Sequence, residues 1–169
     1  DTAVRQMKAF GLDQYSDFFL SVNVSPIKIM EKRFVSLVGD ILERHGYPGE
    51  KLTLEVTEST EFTFNDHTGE VIERLNEKGV RLALDDFGTG YSSYGNLRSL
   101  PVSFLKTERQ MLLGIEQDEY MQFFYSAVSQ LGHAGGMKLI AEGIETPEQL
   151  AITLKNGAAY FQDYLFCRP

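Results

Sequence analysis

Hydrophobic and polar residues along this chain follow two periods, and the period switches repeatedly. Residues 18–25, FFLSVNVS, alternate from Leu20 on: Leu20, Val22 and Val24 fall on one face, Ser21, Asn23 and Ser25 on the other, as in a strand with one buried face. The same alternation recurs from Leu52 in LTLEVT, which sets Thr53, Glu55 and Thr57 on one face, and in residues 102–108, which set Phe104, Lys106 and Glu108 together. Shorter apolar runs at residues 81–84, 138–144 and 159–166 complete a set of about six strands. Helical periods lie between them. Val4, Met7 and Phe10 mark a first helix over residues 1–12 that stops at Gly11. Pro26 opens a second helix to about His45, with Phe34, Leu37, Val38, Ile41 and Leu42 as its apolar stripe. Helices are expected over residues 66–78, closed by Gly79, from the loop after Asp86 to about Leu100, and over 110–131 with Met121, Phe124, Tyr125 and Val128 as core. Thr146-Pro147-Glu148 supplies cap, proline and acid for a last helix ending at Gly157.

Strand–helix alternation about six times over predicts an α/β fold with a parallel sheet covered by helices. Either an open sheet or a TIM-like barrel fits that spacing. A polar residue stands near the C-terminal end of every strand: Asn23, Glu55, Asp85, Lys106, Glu142 and Gln162. In a barrel these ends converge on one mouth, where catalytic groups from different strands meet, so the barrel is the favoured reading.

The chemistry concentrates after residue 84. Asp85 and Asp86 are adjacent carboxylates at a strand end, followed by Phe87-Gly88-Thr89-Gly90-Tyr91-Ser92-Ser93. Adjacent carboxylates repel unless a cation or proton lies between them, and hard divalent cations take oxygen ligands. The competing structural reading has the aspartates cap the next helix while the glycines make a turn. Glu108 adds a further carboxylate, and no histidine or cysteine joins the set; His45, His67 and His133 lie in expected helices or turns and read as solvated. Oxygen-only ligation selects Mg²⁺, Mn²⁺ or Ca²⁺ over zinc. Two such ions bridged by a carboxylate would suit in-line phosphoryl chemistry, with Lys106 holding a water or a phosphate oxygen. A glycosidase with paired carboxylates is the rival enzyme class, but it leaves Asn23, Lys106 and the aspartate doublet unexplained.

Composition narrows the classes further. The 169 residues are the length of one domain, 43% hydrophobic, with a formal net charge of -8, which disfavours nucleic-acid polymers as partners. The lone Cys167 excludes an internal disulfide and fits a reducing compartment. Neither a membrane-spanning apolar run nor a signal-peptide pattern is present, so a cytoplasmic domain without membrane insertion is expected.

LSVNVSP, LTLEVTES, LALDDFGTGYSSYGNL, LPVSFLKTER, LIAEGIETPEQL and YFQDYLFCRP together resemble, in order and spacing, the EAL domain family of bacterial cyclic-di-GMP phosphodiesterases and their inactive relatives. The resemblance covers nearly the whole chain. It implies a modified TIM barrel, here one EAL-like domain over residues 1–169 without its first strands, and two Mg²⁺ or Mn²⁺ ions that open cyclic-di-GMP to linear pGpG. By resemblance Asn23, Glu55 and Asp85 are ligands of the first metal, with Asp85 as the bridge; Asp86 serves the second metal, and Glu108 stands where the family carries an aspartate ligand. Lys106 resembles the lysine that orients the nucleophilic water, and Glu142 and Gln162 resemble the remaining mouth residues. Glu58 resembles the glutamate that steadies the loop after Asp86, a loop the family uses at its dimer interface.

Three departures accompany the resemblance. The signature EAL glutamate has no counterpart within residues 1–169, Glu108 is one methylene longer than the family aspartate, and Asp163 replaces the glycine after the mouth glutamine. Two functions are therefore expected to compete: an impaired phosphodiesterase, or an inactive domain that binds cyclic-di-GMP or a protein partner. With about six strands where a barrel has eight, the strands at residues 18–25 and 159–166 are expected to be edges, and a homodimer is expected to cover them.

Overall fold

The computed structural model describes residues 1–16, 18–57, 66–87, 101–162 and 165. Six strands form one sheet in chain order: β1 (Leu20–Asn23), β2 (Leu52–Thr57), β3 (Arg81–Phe87), β4 (Phe104–Thr107), β5 (Lys138–Glu142) and β6 (Tyr160–Gln162). β1 runs parallel to β2, and β4, β5 and β6 run parallel to one another. Helix α1 (Thr2–Ala9) precedes the sheet; parallel neighbours need crossovers, and helices supply them: α2 (Pro26–Ile29), α3 (Phe34–His45), α4 (Asp66–Glu77), α5 (Glu119–Ala134) and α6 (Pro147–Lys155). Strands in chain order with intervening helices are the topology of a (β/α) barrel, here six strands of the usual eight.

The chain forms two compact units, and β3 passes from one into the other between Ala83 and Leu84. In the first unit, Ser25 caps α2 by accepting the Lys28 N–H at 3.2 Å, with Pro26 at the first helical position. Residues 26–45 form two helices rather than the single one expected: the chain turns between Met30 and Arg33, where Lys28 pairs with Glu31 at 2.9 Å. The break turns Leu37 outward to 46% exposure, while Phe34, Val35, Val38 and Leu42 are buried. Gly46, at φ 54, closes α3 in the left-handed conformation that glycine adopts without steric cost.

In the second unit, α5 covers the outer face of β4 and β5. Gly132 lies inside this helix, where a Cβ would stand 3.2 Å from Leu139 and 3.3 Å from Leu105. Tyr125 is fully buried beside Thr107 and its hydroxyl is pushed up to about 12 by burial. The helix expected over residues 110–131 is shorter at its start. A tight turn at Arg109–Leu112 is followed by Gly114 at φ 71, and Asp118 then begins α5 by accepting the Met121 N–H at 3.1 Å. The opposite face of the sheet carries Phe104 and Tyr160 in edge-to-face contact, ring centroids 5.7 Å apart, below the polar strand ends.

Glu58, the loop and helix expected over residues 88–100, Asp163 and Cys167 lie outside the described residues. Among the described residues, no helix is long and apolar enough to cross a membrane.

Candidate active site

Strand β3 is apolar through Leu82, Ala83 and Leu84, all at 2% exposure or less, and continues through the two aspartates to Phe87. The carboxylates therefore belong to the strand itself, where residues 81–84 alone were expected. Asp85 is 8% exposed. Its Oδ1 accepts the backbone N–H of Asp86 at 3.0 Å. Asp86 has φ 55, the left-handed region that aspartate visits more readily than most side chains, yet at an energetic cost. Among the described residues it is the one non-glycine residue with such a φ. Local strain of this kind concentrates at functional sites.

Lys106 is 2% exposed. Its ammonium stands 3.0 Å from Asp85 Oδ1 and 3.2 Å from Glu142 Oε2. Burying an ammonium is costly unless it is paired, and here two carboxylates from neighbouring parts of the sheet provide the pairing. Glu142 ends β5 directly opposite Gln162 on β6. Glu108 follows β4, and its carboxyl is held above the usual glutamate value, first by burial and then by the charge of Asp86. Thus Asp85, Asp86, Lys106, Glu108, Glu142 and Gln162 all stand at C-terminal strand ends of the second unit, and the Asp85–Lys106–Glu142 contacts bring three of them together.

In the first unit, Asn23 and Glu55 face each other in register at the ends of β1 and β2. Glu55 is 7% exposed. Its carboxylate accepts a hydrogen bond from the Ser21 hydroxyl, and its backbone carbonyl accepts the Val24 N–H at 2.8 Å. Ser21 was not singled out from the sequence as a site residue. Its signal was present: it shares the polar face of residues 18–25 with Asn23. Arg109, Gly143 and Glu145, which join the loops after β4 and β5, were missed as well; only the glycine directly after a strand-end glutamate hinted at them.

The donor set consists of carboxylates and amides. Among the described residues, no three His, Cys, Asp or Glu side chains cluster as a complete metal cage. In the second unit the charge of Asp86 opposes ionisation of Glu108, a repulsion that a hard cation would relieve. Oxygen donors of this type fit Mg²⁺, Mn²⁺ or Ca²⁺. The histidines take no part. His45 is not solvated as expected: its ring is only 18% exposed and pairs with Asp1 at 2.7 Å, a contact Arg44 shares at 3.2 Å.

The strand order and the intervening helices are those of a (β/α) barrel, with polar and charged residues at the C-terminal strand ends. The EAL domain model matches residues 1–169, and the chain belongs to that family. Over 169 residues it is 36% identical to the bifunctional diguanylate cyclase/cyclic di-GMP phosphodiesterase MucR of Pseudomonas aeruginosa, covering all of this chain and 25% of MucR. The solved PaMucR phosphodiesterase in complex with c-di-GMP superposes with a TM-score of 0.90 at 35% identity, over 99% of this chain and 68% of that one. Klebsiella pneumoniae BlrP1, solved as a manganese/cy-diGMP complex, gives 0.87 at 27% identity, over 99% of this chain and 42% of that one. The chain spans about a quarter of the length of the curated relative.

Proposed function

We propose that the protein carrying this chain binds cyclic-di-GMP and hydrolyses it to linear pGpG with divalent cations. The observation that carries the reading is the buried Lys106 between Asp85 and Glu142 at the strand ends of a family whose solved members include c-di-GMP complexes. Asp85, Asp86 and Glu108 are the cation ligands in this reading, and the resemblance adds Asn23 and Glu55 to them. Bound Mg²⁺ or Mn²⁺ would polarise the phosphodiester and lower the pKa of a water. Lys106, fixed by its two carboxylates, would hold the attacking water or a phosphate oxygen. Glu142 would accept a proton in this reading, and Gln162, opposite it in register, would donate to the substrate. Asp86, at φ 55, would serve the second cation in this reading.

Calorimetry with Mn²⁺ tests the site. Binding by the chain should weaken at least tenfold in Asp85→Asn; unchanged affinity would mean that the site is misassigned. Hydrolysis is a separate matter. The 169-residue chain by itself has no signature EAL glutamate, and losing one charge-stabilising group costs about a hundredfold or more. It should therefore release pGpG at a small fraction of the rate of MucR-like relatives, and Glu108→Asp should raise that rate. Turnover equal to theirs would refute this expectation. Binding of cyclic-di-GMP without any pGpG release, even in the longest form of the protein, would favour the receptor function instead.

A further inference from the structure

The loop after β5 is tied to the segment after β4 in a way that the chemistry above does not use. Gly143 directly follows Glu142 and is buried at φ 86. Arg109 lies across it so closely that a Cβ on Gly143 would stand 2.6 Å from Arg109 Cβ and 2.8 Å from its Cα. The second of these atoms is backbone and cannot step aside. From that seat the guanidinium pairs with the Glu145 carboxylate. Two further bonds hold the same pair of segments together: the Thr146 hydroxyl donates to Glu116 at 2.9 Å, and the Gln149 side-chain amide donates to the Leu112 carbonyl at 3.0 Å. Gln149 also accepts the N–H groups of Glu145 and Thr146, at 2.8 and 3.2 Å, which closes the cap of α6.

We propose that Arg109, seated on Gly143 and paired with Glu145, is a positioning residue that holds Glu142 against Lys106. Glu142 is adjacent to the glycine under Arg109, and Lys106 lies three residues before Arg109 on the strand it continues. A clamp across these loops therefore fixes the separation between the carboxylate and the ammonium. Most ion pairs as exposed as Arg109–Glu145, whose side chains are 53% and 35% exposed, contribute little stability. The clamp matters through geometry: placing a catalytic group wrongly by about 1 Å can cost a hundredfold in rate. The bearing on catalysis rests on the phosphodiesterase reading; the clamp itself does not.

The test reads Lys106 directly. A buried, paired lysine ammonium exchanges its protons slowly with water and gives its own resonance in spectra of nitrogen-labelled lysine; exposed ammonium groups exchange too fast. The wild-type chain should show this resonance, and Glu142→Gln should define the signal of the broken pair. Arg109→Ala and Glu145→Gln should each move the signal toward that of Glu142→Gln, the double variant should move it no further than either single one, and Arg109→Lys should restore it in part. Unchanged resonances in both single variants, even with lower melting temperatures, would reduce Arg109–Glu145 to a surface ion pair and overturn the proposal. So would the absence of a protected Lys106 signal in the wild type. In the longest form of the protein, the same substitutions should lower kcat about tenfold or more with KM within about twofold. A wild type without turnover whose Lys106 signal still responds would sink the phosphodiesterase reading and leave the clamp standing.

Discussion

Glu108 is easier to protonate in the folded chain than in water, because burial and the Asp86 carboxylate both oppose its charge. The sign of the effect on stability follows. A carboxyl whose folded value is raised favours the fold while it is protonated; that contribution is complete below the ordinary value of 4.5 and is lost as pH rises through the raised value. The metal-free chain should therefore show a thermal midpoint that declines as pH rises from the ordinary value of 4.5 through the raised one, and Glu108→Gln should flatten the decline. Mn²⁺ should flatten it too, by supplying the opposing charge. A difference between wild type and variant that stays constant with pH would rule out this role for Glu108. The same residue illustrates what was readable in advance. Its position on the face of Lys106 was legible from alternation alone, but its proximity to Asp86 depends on a second strand, which no local period reports.

At the scale of elements, the strands were legible because each is a short run, alternating or wholly apolar, with a polar residue near its end. Their lengths were less so. β1 keeps four of the eight residues expected for it, and β3 runs three residues past Leu84, because hydrogen bonding to neighbours rather than local apolarity decides where a strand ends. The helices misread were those interrupted by short-range turns. Gly114 at φ 71 and the Asp118 cap divide a continuous apolar period, since one left-handed residue outweighs a weak helical preference over one turn. The cap can be tested. Asp118→Ala removes the acceptor of the Met121 N–H and should cost about 1 kcal/mol in urea unfolding, whereas Asp118→Asn should cost a few tenths at most. Equal losses in both would show that the charge of Asp118 at the helix start matters more than its hydrogen bond.

At the scale of the whole molecule, β1 and β6 end the sheet, each with one strand neighbour among the described residues. Beside β1 lies an apolar groove of about 190 Å³, lined by Leu20, Val22, Val24, Phe34, Ile41 and Leu54 among others. Phe18, just before that strand, is 46% exposed. Edges of this kind tend to acquire partners. We expect the isolated chain to sediment as a dimer at low micromolar concentration; a monomer that unfolds cooperatively would count against dimerisation. The sheet order carries one more consequence. Each strand pairs with the next along the chain, as Leu20 does with Leu52 and Phe104 with Lys138, so among the described strands no pairing waits for a distant segment. A chain so ordered can acquire its sheet stepwise as it leaves the ribosome, one strand–helix unit docking on the last. On stalled nascent chains, protection from protease should then extend in steps from the N-terminal side, with Lys106 gaining both of its carboxylate partners only after β5 has emerged.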